Sequence, residues 1–152
     1  MTNHINDRVI VITGAASGFG RLVATKTAAL GAKVVASDVN EADLTATVGA
    51  ITDGGDTAMG VIADVTDREA MAALAATAVD TYGAIDVMVN NAGVMPLGFY
   101  ADHAQAGDAW DHCIDINIKG VLNGIIAVHD QMITQGRGHI VNLSSIYGNY
   151  PV

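Results

Sequence analysis

The stretch Thr13-Gly14-Ala15-Ala16-Ser17-Gly18-Phe19-Gly20 decides the fold, because it joins a run rich in β-branched residues at 8–13 directly to a helical pattern at 18–30. In a strand-to-helix turn one glycine permits the tight turn, a second lets a pyrophosphate approach the backbone, and a third lets the helix pack closely on the strand. The first turn of the helix then offers unpaired N–H groups and the positive end of its dipole to an anion. Glycine clusters are common in turns of every kind. Here the position between strand and helix gives the spacing its meaning.

Outward from this turn the same alternation repeats. Strand patterns fall at 8–13, 33–37, 57–63, 86–90 and 139–143, and helical patterns at 18–30, 41–51, 67–82 and 108–135. The strands are nearly continuous apolar runs, as expected when helices cover both faces of a parallel sheet. The expected fold is therefore α/β, a doubly wound parallel sheet of the Rossmann type with strand order 3-2-1-4-5. Its ligand crevice should lie at the carboxyl ends of strands one and four. In the longest helix Trp110, Ile114, Val121, Ile125, Val128 and Met132 form an apolar stripe, with Asn117 on the same side. Read locally, Asn117 is a buried amide satisfied by a neighbouring backbone group.

The chain has 152 residues, with 7 Lys and Arg against 16 Asp and Glu, for a formal net charge of −9. That length suits a single domain, 1–152, hiding about 70% of its surface on folding. Hydrophobic residues make up 51% of the chain and aromatic residues 5%, so Ala, Val, Ile and Leu must build the core, and disorder is excluded. Seven scattered cations are too few for a phosphate-rich partner, so neither nucleic acid nor a membrane surface is expected. No apolar run approaches the roughly 18 residues of a membrane span, and the N-terminal MTNHINDRVIVIT shows no secretory pattern. Cys113 is the only cysteine, which rules out an internal disulfide or a Cys-based zinc site and fits a reducing cytoplasm.

The second strand ends at Asp38, 24 residues beyond Gly14, where a carboxylate can accept both hydroxyls of an adenosine ribose. A 2′-phosphate about 5 Å away would be repelled by roughly 3 kcal/mol per unit charge at an effective dielectric near 20, so NAD is expected over NADP. Ser17 and Val39 agree, since they occupy places where Arg or Lys would hold that phosphate. The local alternative makes Asp38 a cap for the following helix. After strand three, Asp64 and Val65 stand where the adenine edge would lie. Asp64 reads equally as a turn or N-cap residue.

These residues resemble the core short-chain dehydrogenase/reductase family. TGAASGFG matches its TGxxxGxG loop, Asn90-Asn91-Ala92-Gly93 matches its NNAG segment, and NLSS ends at its serine, in order and spacing from about residue 8 to the last. The resemblance implies a cofactor site in which Gly14, Gly18 and Gly20 line the pyrophosphate, with Ser17 and Phe19 beside them. Asp38 would hold the adenosine ribose, and Asp64 and Val65 would touch adenine. Asn90, Ala92 and Gly93 would bracket the nicotinamide-side ribose while Asn91 braces the sheet. Asn117 is similar to the family's helix asparagine, which orders a water in the proton relay, and this would explain a polar residue in the stripe. Ser145 is similar to the serine that hydrogen-bonds the substrate oxygen, with Ser144 its structural neighbour.

Hydride transfer to a carbonyl builds negative charge on oxygen, so it calls for a fixed hydroxyl donor and a general acid. In the family the acid is the Tyr of YxxxK, about a dozen residues beyond the serine, its pKa lowered by the Lys. Tyr147 and Tyr150 lie too close to Ser145 to match, Pro151 stands four residues after Tyr147, and the last lysine is Lys119. Both tyrosines are expected to be loop residues beside the cleft, and the catalytic Tyr and Lys to follow residue 152 in a longer gene product.

The expected function is an NAD-dependent dehydrogenase or reductase of secondary alcohols and ketones. Its substrate is expected to be apolar, because Val94, Met95, Pro96, Leu97, Phe99 and Tyr100 face the nicotinamide end. A homo-oligomer, dimer or tetramer, is implied because the long helix pairs across subunits in the family. The alternative is a truncated, catalytically silent NAD-binding or interaction module. No metal is expected: Asp108, Asp111 and Asp115 suit a helix start, and His4, His103, His112, His129 and His139 show no HxxxH or HxH pairing.

Overall fold

The computed structural model describes residues 4–145, so Tyr147 and Tyr150 lie outside the described residues. Five strands, β1 (Val9–Thr13), β2 (Lys33–Asp38), β3 (Thr57–Ile62), β4 (Val87–Asn90) and β5 (His139–Asn142), form one parallel sheet in the order β3-β2-β1-β4-β5. The expected order is the observed one, and the strand ends differ by a single residue, the usual scatter of such boundaries. Continuous burial holds for β1, whose five residues are all buried. It fails for the outer strands β3 and β5, which are half-exposed because each has a neighbour on one side only.

Side chains of β1 alternate between two cores. Ile10 and Ile12 join Ala24 and Ala28 of α1 (Gly18–Ala28) and Leu44 and Ile51 of α2 (Glu41–Asp53) on one face. Val9 and Val11 join Met71, Leu74 and Ala78 of α3 (Arg68–Tyr82), and Val128 and Met132 of α5 (Val121–Thr134), on the other. The small side chains of α1 bring that helix close to the sheet. Asn40 caps α2 by accepting from the Asp43 N–H, and Asp67 caps α3 by accepting from Glu69 and Ala70, so neither Asp38 nor Asp64 is a helix cap.

The long helix departs from its expected form. It begins as a 3₁₀ turn (Tyr100–Asp102), continues as α4 (His103–Ile114), widens into a π turn (Asp115–Gly120) and only then runs on as α5. A π turn closes on i+5 rather than i+4, so it shifts the phase of everything downstream. Ile114 is 47% exposed and Asn117 is also exposed. The polar residue buried beneath this helix is Asn123, at 4% exposure.

At the amino end of the sheet the 8%-exposed carboxylate of Asp86 ties three strands together. Its Oδ1 accepts from Arg137 Nε (2.8 Å) and Arg8 Nη1 (3.2 Å), and its Oδ2 from the Val9 N–H (3.0 Å). Burial pushes the Asp86 carboxyl up, but the Arg137 hydrogen bond, the Val9 N–H and the charges of Arg137 and Arg8 outweigh it and hold the pKa below the ordinary value. The folded chain therefore binds this proton less readily than the unfolded chain. The stabilisation is complete above pH about 4 and is lost as pH falls through the folded value. Asp86→Asn should cost about 2 kcal/mol of unfolding free energy at neutral pH. In urea melts at neutral pH and at about pH 3, the variant should lose less stability on acidification than the wild type; equal acid sensitivity would exclude the role.

Candidate functional site

Parallel register brings the candidate residues to one edge. Thr13 pairs with Ser37, Asp38 with Ile62, and Asn90 with Asn142, so the segments after β1, β2, β3, β4 and β5 all leave the sheet at its carboxyl end. There they enclose a cleft of about 420 Å³. Gly14, Ser17, Gly18 and Phe19 line it from the first turn, Asp38 from β2, Asp64 and Val65 from beyond β3, and Asn91, Ala92 and Gly93 from beyond β4.

The turn is held by steric fit and by one amide. Gly14 has φ +65°, and a Cβ on it would stand 2.8 Å from Ala92 Cα; one on Gly20 would run into the Gly14 carbonyl. Asn91 Nδ2 donates to Thr13 O (2.8 Å) and Gly14 O (3.1 Å), while the buried Thr13 hydroxyl accepts from the Asn91 and Ala92 N–H groups. Gly18, at φ +51°, has open space where a Cβ would project. Ser17 occupies the N-cap position of α1 but makes no side-chain cap bond. The first residues of α1, Gly18 and Phe19, thus line the cleft at a helix start whose N-cap side chain accepts from no N–H, leaving donors of the kind a pyrophosphate requires. On these observations the residues present fit a dinucleotide.

Asp38 does more than end a strand. Its Oδ2 accepts from the Ala16 N–H (2.9 Å) and its Oδ1 from the Asn40 N–H (3.0 Å), so it clasps the glycine turn to the start of α2. Arg21 on α1 reaches the same turn, donating to Ala16 O and, through Nε, to Thr47 Oγ1 (3.0 Å). Asp64 Oδ1 accepts from both the N–H and the hydroxyl of Thr66 (2.8 Å each), so the turn reading of Asp64 and its place in the cleft hold together. Among the described residues, two acidic ones and no basic one line the cleft.

Two expected cofactor residues, and the expected catalytic Asn117 and Ser145, lie outside the lining of the cleft. Gly20 is packed under the turn rather than in the cleft. Asn90 is 3% exposed and donates to Asn142 Oδ1 (2.8 Å) on the α5 side of the sheet, because consecutive strand residues face opposite ways. Its Oδ1 faces Gly124, where a Cβ would collide with it. Asn117 grips the loop after β4: its Oδ1 accepts from the Val94 N–H (2.9 Å), and its Nδ2 donates to Val94 O (2.8 Å) and contacts Cys113 Sγ (3.3 Å). Ser145 is exposed and lies three residues beyond the end of β5. Sequence reading missed Ile116 and Leu143 as cleft walls. Ile116 enters through the π turn, for which the residues carry no local signal.

The short chain dehydrogenase family profile matches residues 8–152. The chain is 41% identical over 147 residues to an uncharacterized oxidoreductase of Staphylococcus saprophyticus, covering 97% of this chain and 58% of that protein. It is 36% identical over 141 residues to the (2S)-[(R)-hydroxy(phenyl)methyl]succinyl-CoA dehydrogenase subunit BbsD of Thauera aromatica, covering 93% and 56%. The chain thus spans somewhat over half the length of these relatives. Among solved structures, a short chain dehydrogenase/reductase from Burkholderia phymatum in complex with NAD superposes with a TM-score of 0.93 at 36% identity, over 100% of this chain and 53% of that one. A metagenomic short-chain oxidoreductase in complex with NADP gives 0.89 at 35%, over 99% and 67%. With the glycine turn, the NNAG segment and the sheet order all matched, this chain belongs to the short chain dehydrogenase family.

Proposed function

We infer that this chain is the dinucleotide-binding part of an NAD(H)-dependent oxidoreductase that interconverts an apolar secondary alcohol and its ketone. The observation that carries the cofactor choice is Asp38, a carboxylate at the end of β2 in a cleft that no cation lines among the described residues. It favours two ribose hydroxyls and repels a 2′-phosphate. Gly14, Ser17, Gly18 and Phe19 would hold the pyrophosphate, Asp38 the adenosine ribose, Asp64 and Val65 adenine, and Ala92 and Gly93 the other ribose. When bound, the nicotinamide supplies the two-electron donor or acceptor. Asn90 and Gly20 serve this site from behind, through packing and hydrogen bonds, while Asn91 lines the cleft and ties the glycine turn to the segment after β4.

Ser145 would donate its hydroxyl to the substrate oxygen as charge develops there. Asn117, beyond any part in a proton relay, holds Val94 and with it the start of the loop at the nicotinamide end. That loop exposes Met95, Leu97 and Phe99, which supports an apolar substrate. The general acid belongs, in this reading, to sequence following residue 152, in keeping with the greater length of the relatives. Ile114, Ile118, Leu122 and Ile126 follow one another at four-residue steps and are all exposed, which supports a homo-oligomer built on this helix. No described helix is long and apolar enough to cross a membrane, and the lone Cys113 supports a cytoplasmic setting.

Calorimetric titration of the chain tests the cofactor assignment: NAD should bind at least about tenfold more tightly than NADP, a margin of about 1.4 kcal/mol. Tighter NADP binding would overturn it. Asp38→Asn leaves one carbonyl oxygen where two carboxylate oxygens accepted, so NAD affinity should fall and the preference over NADP shrink to roughly threefold or less as the repulsion disappears. Gly20→Ala should weaken NAD at least about tenfold by pushing α1 away from the turn; unchanged affinity would show that the close approach is not needed for the cofactor.

A further inference from the structure

Two walls of the cleft hang from one helix. On the nicotinamide side Asn117 holds Val94 through both of its amide atoms. Further along, Asn123 reaches in the other direction. Its Nδ2 donates to Val65 O (2.8 Å) and Thr66 O (3.3 Å), and its Oδ1 accepts from Arg68 Nε (3.1 Å). Between them, at the end of the π turn, Gly120 lets Val65 come close: a Cβ at Gly120 would stand 2.6 Å from Val65 Cγ2. Val65 lines the cleft, and Thr66 holds the Asp64 carboxylate with its N–H and hydroxyl. Asn123 itself is buried and lies outside the cleft lining.

Only an amide satisfies this position. Val65 O and Thr66 O need a donor, Arg68 needs an acceptor, and one planar group offers both. Leucine has similar bulk but leaves all three partners without it. Aspartate keeps the acceptor for Arg68 and sets an oxygen against the Val65 carbonyl. The Arg68 bond also decides which way the amide faces, so that Nδ2 points at Val65.

Building on the dinucleotide reading above, we propose that Asn123 is a positioning residue for the adenosine end of the cofactor site, holding the Asp64–Thr66 segment to the same helix that fixes the nicotinamide-side wall. The hydrogen bonds run from helix to Val65 and Thr66, and from Thr66 to Asp64. Loss of the brace changes the adenosine wall while leaving the Asn117 clamp on Val94 intact.

The test compares two half-ligands on the 152-residue chain, ADP for the adenosine end and nicotinamide mononucleotide for the other, followed by NMR titration alongside thermal melts. Asn123→Asp should weaken ADP about tenfold and nicotinamide mononucleotide less than about twofold, measured well below the variant's own Tm. Arg68→Met, at an exposed position, should fold like the wild type and weaken ADP roughly threefold by freeing the amide to turn; it decides the matter if the Asn123 variant does not fold. Unchanged ADP affinity in a folded variant, or a parallel loss of both half-ligands, would overturn the proposal. Wild-type protein that binds neither ADP nor NAD would instead remove the dinucleotide reading.

Discussion

Helix α1 crosses the end of β1 so closely that Gly20 has no room for a side chain beside the Gly14 carbonyl, the segment after β4 leaves none at Gly14, and the carboxyl edge is organised around these contacts. With the helix drawn in, its first residues, Gly18 and Phe19, line the cleft together with Asp38 from β2. The approach also sets the Thr13 and Gly14 carbonyls within reach of the Asn91 amide, so the turn after β1 is hydrogen-bonded to the segment after β4. The Thr13 hydroxyl repeats the link by accepting from two N–H groups of that segment. Here a steric allowance at glycine and a satisfied buried polar network are one device.

The two ends of the sheet divide the work. At the amino end, Asp86 gathers Arg8, Arg137 and the Val9 N–H, tying the entry of β1 to the strands beside it. At the carboxyl end, polar side chains face loops: Asp38 clasps the glycine turn, Asp64 its own turn, and Asn117 the loop after β4. A parallel sheet exposes all its strand exits on one edge, so residues distant in the chain meet there. Side chains that look like ligands in the sequence are also the ones that shape the loops, and Asp38 is the clearest case.

Legibility followed the physics of each level. The β1 run and the glycine turn were readable because strand burial and close helix packing impose local residue types. Asp38, Asp64 and Val65 were readable because they lie at or just beyond strand ends, whereas the NNAG segment was readable only through its resemblance to the family motif. Asn90 and Asn91 were not separable: adjacent strand residues look alike in a motif, and only the pleat sends one beneath α5 and the other to the glycine turn. Asn117 was expected inside an apolar stripe and is exposed. Asn117 lies within the π turn, which shifts the phase of the helix beyond it, so a stripe read at ordinary spacing misses Asn123 as the buried asparagine.

The sequence by itself determined the class of fold, the strand order, the edge on which the crevice opens and the acidic residue that meets it. Those features follow from periodicity, from glycine sterics and from the handedness of crossovers, all properties of short segments. Only the tertiary structure decided that Asp38 also fastens the glycine turn, that Asn123 is the amide buried between α5 and the segment after β3, and that one helix carries both Asn117 and Asn123 toward opposite walls. Those contacts join residues 22 to 58 positions apart in the chain. Their partners are mostly backbone groups, which every residue type presents alike, so no residue pattern announces them before the chain has folded.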